Sequence, residues 1–406
     1  MKLEKYKQIG NRASLSLKQR ADESRYLRSE VSERYYSQQD VVSFLKFTDK
    51  KVSKTSVSNA MDELKVLGHE FNQPKGKGYL LTIDNVIAIA DHLGVTKYHG
   101  TTNGKAFVIC FLNLKGGVGK SMCTNMFAHF LTCHKRFILS EPKVLIIDLD
   151  PQGTSTQHNT TIYKIDDHSI TSLTALLEDM SIEEIQESAI KRTEHRNLDI
   201  ILAGTDDGFL ADQLNTDEIC NGSYVAALLQ ERLISKLDGI YDFILVDVGP
   251  HMDNTLKNVL WASDQLIVPV PQTYYPYDSS CQFLTRLPGV MAELVDNGLS
   301  ESDLPDMTAF ITLSPIDTQV EKESHNTDKY TTASTDLARI FDLDNLNSQL
   351  PEEDVYERCI DMGQTVFSLQ KKDYPGDSKA FVRAYNSAQR WGNEIADIVC
   401  VKHGAK

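Results

Sequence analysis

Phe107-Val108-Ile109-Cys110-Phe111-Leu112-Asn113-Leu114 is an apolar run that passes without a break into Lys115-Gly116-Gly117-Val118-Gly119-Lys120-Ser121. Met122, Met126, Phe127 and Phe130 follow at helical spacing. A strand, a glycine-rich loop and a helix in that order form the setting of a phosphate loop. Glycines let backbone N–H groups converge on phosphate oxygens without a Cβ in the way, and the helix N-terminus adds its positive dipole end. Lys120 is expected to reach the β- and γ-phosphates of a nucleotide, and the Ser121 hydroxyl to ligate Mg²⁺.

Outward from this loop, apolar runs of strand length recur at Val144–Leu149, Leu198–Ala203, Phe243–Val248, Gln265–Val270 and Thr308–Leu313, with helical segments between several of them. Near-continuous apolar strands alternating with helices predict an α/β fold, a doubly wound and mainly parallel sheet covered on both faces. Two of these strands end in carboxylates. One closes with Asp148-Leu149-Asp150-Pro151, the other with Asp247-Val248-Gly249-Pro250. Strand ends are where doubly wound folds place ligands. Asp247, in the Walker B pattern, is the expected holder of Mg²⁺.

An ordinary phosphate loop carries a further Gly where this chain has Leu114, and Lys115 then heads the motif. That form resembles the deviant Walker A loop of the ParA/MinD family of ATPases. The resemblance implies ATP and ADP as nucleotides, with Gly116, Gly117, Val118, Gly119 and Met122 contributing to the loop site and Pro271 leading to its adenine side. It implies that Lys115 reaches the phosphates of a second subunit in a nucleotide-sandwich homodimer. It also implies that Asp150 orients the attacking water and that Asp148 supports Mg²⁺ or its waters. Lys115, Lys120 and Asp150 are therefore the expected catalytic set. Val248 and Gly249 depart from the Asp-Thr-Pro-Pro usual in that family, so nothing is carried over to them.

About 105 residues precede the loop. Residues 1–36 are polar, with Leu27, Val31 and Tyr35 at i, i+4, i+8, which predicts a helix with a narrow apolar stripe, either a surface helix or a dimerisation helix. Residues 37–100 form a compact unit. Ser37-Gln38-Gln39-Asp40 is a capping-box pattern that opens a short helix. Val57, Ala60, Met61, Leu64 and Leu67 mark the buried face of a second helix, stopped by Gly68. Pro74-Lys75-Gly76-Lys77-Gly78 predicts a basic hairpin turn, and Ile83–Leu93 a third helix. Short helix, helix and basic hairpin outline a winged helix-turn-helix. Lys54, Thr55, Ser56, Ser58 and Asn59 lie at the leading end of the second helix and are candidates for DNA contacts, with Lys75 and Lys77 for backbone phosphates. The remainder, 105–406, is the expected ATPase domain.

Charge divides the same way. The chain carries 42 basic and 57 acidic residues, net −15, yet residues 1–100 are net +5 and the rest −20. A basic head on an acidic body suits a head that meets nucleic acid. This layout resembles the larger ParA proteins of DNA-partition systems. That resemblance implies an ATP-dependent dimer that binds DNA nonspecifically, a ParB-type centromere-binding partner that stimulates hydrolysis, and repression of its own operon through the front domain. Arg358 matches a position such proteins use for nonspecific DNA. Lys371, Lys372, Arg383 and Arg390 are further basic candidates. Two other readings stay open: a nucleotide-switched repressor without a motor role, and a MinD-like positioning ATPase. Against the second, the tail around Trp391, Ile395, Ile398 and Val399 has few basic residues, and its apolar stripe is expected to dock on its own core. Seven cysteines show neither CxxC nor ligand spacing and are expected to be small buried hydrophobes. No apolar run approaches membrane-span length, and a cytoplasmic, nucleoid-associated protein is the expectation.

Overall fold

The computed structural model describes residues 2–98, 100, 104–160, 169–315, 327–342 and 344–404. An arm helix, α1 (Lys2–Ser29), comes first, and every side chain from 2 to 20 is exposed, Leu3, Tyr6 and Ile9 included. Its buried residues are Ala21, Ser24 and Arg28. The expected Leu27–Val31–Tyr35 stripe is not one helix. The helix stops at Ser29, and Leu27 and Val31 pack on the large domain from either side of that stop. Beyond it the chain is fastened in extended form. Ser32 Oγ donates to Asp373 at 2.8 Å, and Arg34 Nη1 to the Phe367 carbonyl at 3.0 Å.

The front unit holds α2 (Gln38–Leu45), α3 (Lys54–Val66) and α4 (Ile83–His92). Ser37 caps α2 in the expected box, with its N–H donating to Asp40 Oδ2 at 2.7 Å. Ser53 and Thr82 cap the other two helices. Val57, Ala60, Met61 and Leu64 are buried, but Leu67 lies past the end of α3 and is exposed. The hairpin is slighter than its sequence suggests. Asn72–Leu80 and Tyr36–Leu81 are single antiparallel bridges, and Lys77 N–H donates to the Pro74 carbonyl across the turn. Glycine and proline leave few residues there that favour extended pairing.

The large domain is built on one eight-stranded sheet. Its strands are β1 (Phe107–Phe111), β2 (Val144–Asp148), β3 (Ile190–Arg192), β4 (Leu198–Ile201), β5 (Phe243–Asp247), β6 (Gln265–Pro271), β7 (Asp306–Ser314) and β8 (Leu350–Pro351). They lie in the order β3-β4-β2-β5-β1-β6-β7-β8, all parallel except the β3 edge. All six expected strands are present; the short edges β3 and β8 are additions. Alternation along β1 splits the core. Phe107, Ile109 and Phe111 face α5 (Lys120–Cys133), while Val108, Cys110 and Leu112 face the opposite layer. A terminal helix, Ser378–Lys402, shares the first layer and buries Trp391 against Phe111, Phe127 and Phe310, with ring centroids 5.7, 6.0 and 5.7 Å away.

Ile138 and Leu139, just past α5, belong to the core of the front unit rather than to that of the sheet. Arg196 bridges Asp84 on α4 and Glu141 at 2.8 and 2.6 Å, and Lys97 bridges Asp91 and Glu141, both at 2.6 Å. Apolar insertion thus fixes the two units, and partly exposed ion pairs add little to it. Leu139→Ala is expected to cost about 2–5 kcal/mol, as a buried Leu truncation does. Limited proteolysis of the folded variant should cut first around 93–105, whereas a wild-type cleavage pattern would contradict this packing.

Candidate functional site

Past Phe111 the chain leaves the sheet between β5 and β6. Leu112 N–H still donates to the Ile267 carbonyl at 2.9 Å. Asn113 then replaces the missing strand. Its Nδ2 donates to the Pro269 carbonyl at 2.9 Å and to Ser280 Oγ at 2.7 Å, and its Oδ1 accepts from Lys115 N–H at 2.9 Å. N–H and C=O of one strand residue point to the same side, so Pro269 and Pro271 present their missing donors where β1 has ended. Asn113 is a buried residue that sequence reasoning missed, although a lone Asn in an apolar run was its signal.

Gly117 and Gly119 adopt φ of +75° and +89°, conformations costly for any residue with a Cβ. Gly119 caps α5, and a Cβ there would come 3.1 Å from Met122 and 3.7 Å from Thr312 Oγ1. Thr312 is paired in register with Pro271, so Met122, Pro271 and the end of β7 meet at one corner of the loop. Val118 is buried beneath it, while Gly116 and Gly117 face open space, where an added Cβ meets nothing within 4 Å. The two lysines separate by environment. Lys115 is exposed; Lys120 is buried, and its Nζ donates to the Lys115 carbonyl at 3.2 Å.

The carboxylates sit at the adjacent ends of β2 and β5, where Asp148 and Asp247 are register partners. Asp247 accepts from Ser121 Oγ at 3.1 Å and from Ser155 Oγ at 2.6 Å. Asp148, read from sequence as a support for Mg²⁺, has both oxygens engaged within the protein. Oδ1 accepts from Asp150 N–H at 3.1 Å, and Oδ2 from Thr156 N–H and Oγ1, both at 2.8 Å. β2 stops at Asp148, so Asp150 is not on an extended strand. Its Oδ1 accepts from Gln152 N–H at 2.9 Å, and Gly249 lies so near that a Cβ there would come 3.3 Å from it. Ser155 and Thr156 open a six-residue helix, α6 (Thr154–Asn159), that Asn125 ties to α5 through Ser155 Oγ at 2.8 Å. None of Asn125, Ser155 or Thr156 was singled out by sequence, because hydroxyl and amide partners carry no periodic signal.

Burial sets the charge balance. It pushes Asp247 up to about 6, opposed by the hydroxyls of Ser155 and Ser121, reinforced by Asp150 and opposed again by Lys120. Burial, then the Asp247 charge, raise Asp148 well above the carboxylate range. Burial lowers Lys120, and Asp247 and Asp150 partly restore it. Lys120 and the carboxylates favour each other's charge, whereas the carboxylates disfavour one another's.

The candidate nucleic-acid residues lie apart from this site. Lys54, Thr55 and Asn59 are exposed on α3. Ser56 and Ser58 are half-buried, with Ser56 turned to Ser53 and Ser58 accepting from Gln38 Nε2 at 3.0 Å. Lys75 and Lys77 are exposed on the turn, and Arg358 is exposed on the helix Asp354–Asp361. Arg383 is partly exposed but forked onto buried Glu353 at 2.5 and 2.9 Å. The terminal helix spends its apolar face on the core, and among the described residues no helix is long and apolar enough to cross a membrane.

Residues 13–102 match the family model described as ParA helix turn helix domain, and residues 106–298 the model described as AAA domain. The chain is 32% identical over 354 residues to plasmid partition protein A of Escherichia coli, covering 85% of each. It is 32% identical over 185 residues to the sporulation initiation inhibitor protein Soj of Bacillus subtilis (strain 168), covering 44% of this chain and 64% of that one. Among solved structures, one titled partition protein superposes with a TM-score of 0.70 at 24% identity over 98% of this chain and 99% of that one. An ATP complex of Cyanothece McdA superposes with a TM-score of 0.52 at 17% identity over 71% and 98%. These two likenesses are of fold.

Asn113→Ala would strip partners from a buried carbonyl, a hydroxyl and the first N–H of the loop. A loss of about 1–3 kcal/mol in denaturant unfolding is expected from such orphaned groups. Unchanged stability would mean the loop is anchored elsewhere.

Proposed function

Because the chain belongs to the ParA family of plasmid partition proteins and carries that family's helix-turn-helix domain, we propose that it is a DNA-partition motor driven by ATP hydrolysis. The carrying observation is the division of labour at the loop. One lysine is buried beside two carboxylates, and the other is exposed at the head of the same seven residues. In this reading Lys120 and the loop N–H groups, with Met122 beside them and Pro271 at the adenine side, bind ATP within one subunit. Lys115 reaches out to the nucleotide of a second copy in a homodimer. Asp150 takes the attacking water and orients it toward the γ-phosphate. Ser121 and Asp247 form an oxygen-only donor set at 3.1 Å, which suits a hard divalent cation. They would hold Mg²⁺, which when bound neutralises phosphate charge. Asp148 serves by holding α6 and Asp150 in place.

The DNA side of the proposal assigns 1–36 to the arm, 37–100 to operator DNA and 105–406 to ATP turnover. Lys54, Thr55, Ser56, Ser58 and Asn59 would face the major groove and Lys75 and Lys77 the phosphates, and the domain would repress the chain's own operon. The ATP-bound dimer would hold bulk DNA through local basic residues, Arg358 first, and would be associated with the nucleoid in the cytoplasm. A ParB-type protein would stimulate hydrolysis and release it. The terminal helix Ser378–Lys402 spends its apolar face on the core, which counts against that helix serving a membrane-positioning role.

Lys120→Ala should reduce ATP turnover to background, and Asp150→Ala should retain nucleotide while losing turnover. Normal hydrolysis by both would refute the site. Turnover that rises with DNA and again with a ParB-type partner separates a motor from a nucleotide-switched repressor, which would respond to neither. Gly249→Ala presses on Asp150 without touching the loop, so a roughly severalfold loss of kcat at unchanged KM is expected. The double variant Lys75→Ala/Lys77→Ala should weaken operator binding on every sequence and flatten its log–log salt slope by about 2, one per phosphate contact. A salt slope equal to wild type would remove the turn from the DNA interface.

A further inference from the structure

Arg28 lies at the end of the exposed arm helix yet is itself only 9% exposed. Its Nη2 donates to the carbonyls of Gln157, His158 and Thr160 at 2.9, 2.8 and 3.0 Å. Those are the orphan acceptors at the C-terminal end of α6, where a cation also meets the negative end of the helix dipole. Ser24, one turn back on α1, steadies the guanidinium through Nε at 3.3 Å. Gly363 makes room for it, since a Cβ there would come 2.2 Å from Nη1.

The other end of α6 is the phosphate site. Ser155 Oγ donates to Asp247, and Thr156 N–H and Oγ1 donate to Asp148. Six residues span about 9 Å, and so short a helix has little stability of its own. Its place is set by what grips it. Two carboxylates grip one end, Asn125 and Asn159 hold its flank against α5, and Arg28 grips the other end.

We propose that Arg28 is a positioning residue for hydrolysis: from the arm it clamps the far end of α6, and so sets how Ser155 and Thr156 present Asp247 and Asp148 to the phosphate site. The arm is thereby wired to turnover within one chain, and whatever engages the exposed length of α1 acts on the carboxylates by way of Arg28. The inference rests on the reading of the loop as an ATPase site, and it deepens that reading by naming a regulatory input.

Full-length wild type, Arg28→Ala, Arg28→Lys, Gly363→Ala and Arg25→Ala are compared for kcat, KM for ATP and melting temperature. Arg25 is an exposed neighbour on α1, paired with Asp22, and its variant should match wild type. Arg28→Ala should lose roughly tenfold in kcat with KM within about twofold, because the loop that binds nucleotide is untouched. Arg28→Lys keeps a charge without the planar fork and should fall between the two. Gly363→Ala, which expels the guanidinium while leaving Arg28 in the sequence, should lower kcat in the same direction. Wild-type kinetics in Arg28→Ala would overturn the inference and leave the ATPase reading standing. So would a parallel loss of kcat and ATP affinity together with a lowered melting temperature, the mark of a merely structural contact. Absence of turnover in wild type would overturn both.

Discussion

A lysine and two carboxylates are buried where the neighbouring strands β2, β5 and β1 end, and the surrounding structure makes that burial tolerable. A lone buried charge costs several kcal/mol, and breaking one member out of a paired set is worse than never having buried it. Hence the density of small polar partners here. Ser121 and Ser155 share Asp247, and Thr156 and the Asp150 N–H share Asp148. Two short distances in sequence do this. The loop places Ser121 one residue into α5, and the turn after β2 places Ser155 and Thr156 at the start of α6. The parallel sheet is a precondition, because only parallel strands bring the ends of β1, β2 and β5 to one edge.

The same helix that begins at the loop ends at the front domain. α5 has 14 residues, about 21 Å at the usual rise, and the chain after it delivers Ile138 and Leu139 into the helix-turn-helix core. The arm makes the complementary connection, with Arg28 on α6 and the strap through Ser32 and Arg34 on segment 367–373. The front unit is therefore held by two elements, α5, which starts at the phosphate loop, and the arm, which grips the far end of α6. Rigid helices transmit small displacements with little loss, whereas a flexible linker would not.

Much of this was legible in the sequence, for reasons that also explain what was not. The six main strands announced themselves because strands buried on both faces must be apolar throughout. The loop was legible because glycine, lysine and serine are each required at fixed places. The capping box of α2 was legible because only a few residue types close it. By contrast, β3 and β8 are two or three residues long and too short to carry a pattern. Leu139 looked like any apolar residue after a helix, and nothing local says whose core it joins. Asp148 was read only as a Mg²⁺ support, because a strand-end carboxylate looks the same whether it faces a ligand or a helix N-terminus; its bonds to Thr156 and the Asp150 N–H gave no signal. Tyr35 was drawn into a helical stripe because periodicity does not see where a helix stops; past Ser29 the chain is held by the Ser32 and Arg34 side chains and by the Tyr36–Leu81 bridge.

The charge split acquires a physical meaning from the placement of the basic groups. A body of net −20 repels DNA at long range, so contact with it must be short-range and local, within about a Debye length of 8–10 Å. Arg383 is already consumed by Glu353, which leaves exposed groups such as Arg358 to form any such patch. The front domain has no such handicap. Of the net +5 on residues 1–100, +4 lies on residues 1–36 and +1 on residues 37–100, where Lys54, Lys75 and Lys77 are exposed on α3 and the turn. Two modes of holding DNA would thus differ in kind. One is carried by the net positive front part of the chain, arm included, and meets no long-range repulsion. The other is unfavourable at a distance and needs several weak contacts at once, which two bodies side by side supply and one does not. Under the proposed function, a dependence of bulk DNA binding on an ATP-closed dimer would then follow from electrostatics, without any special rearrangement of the surface.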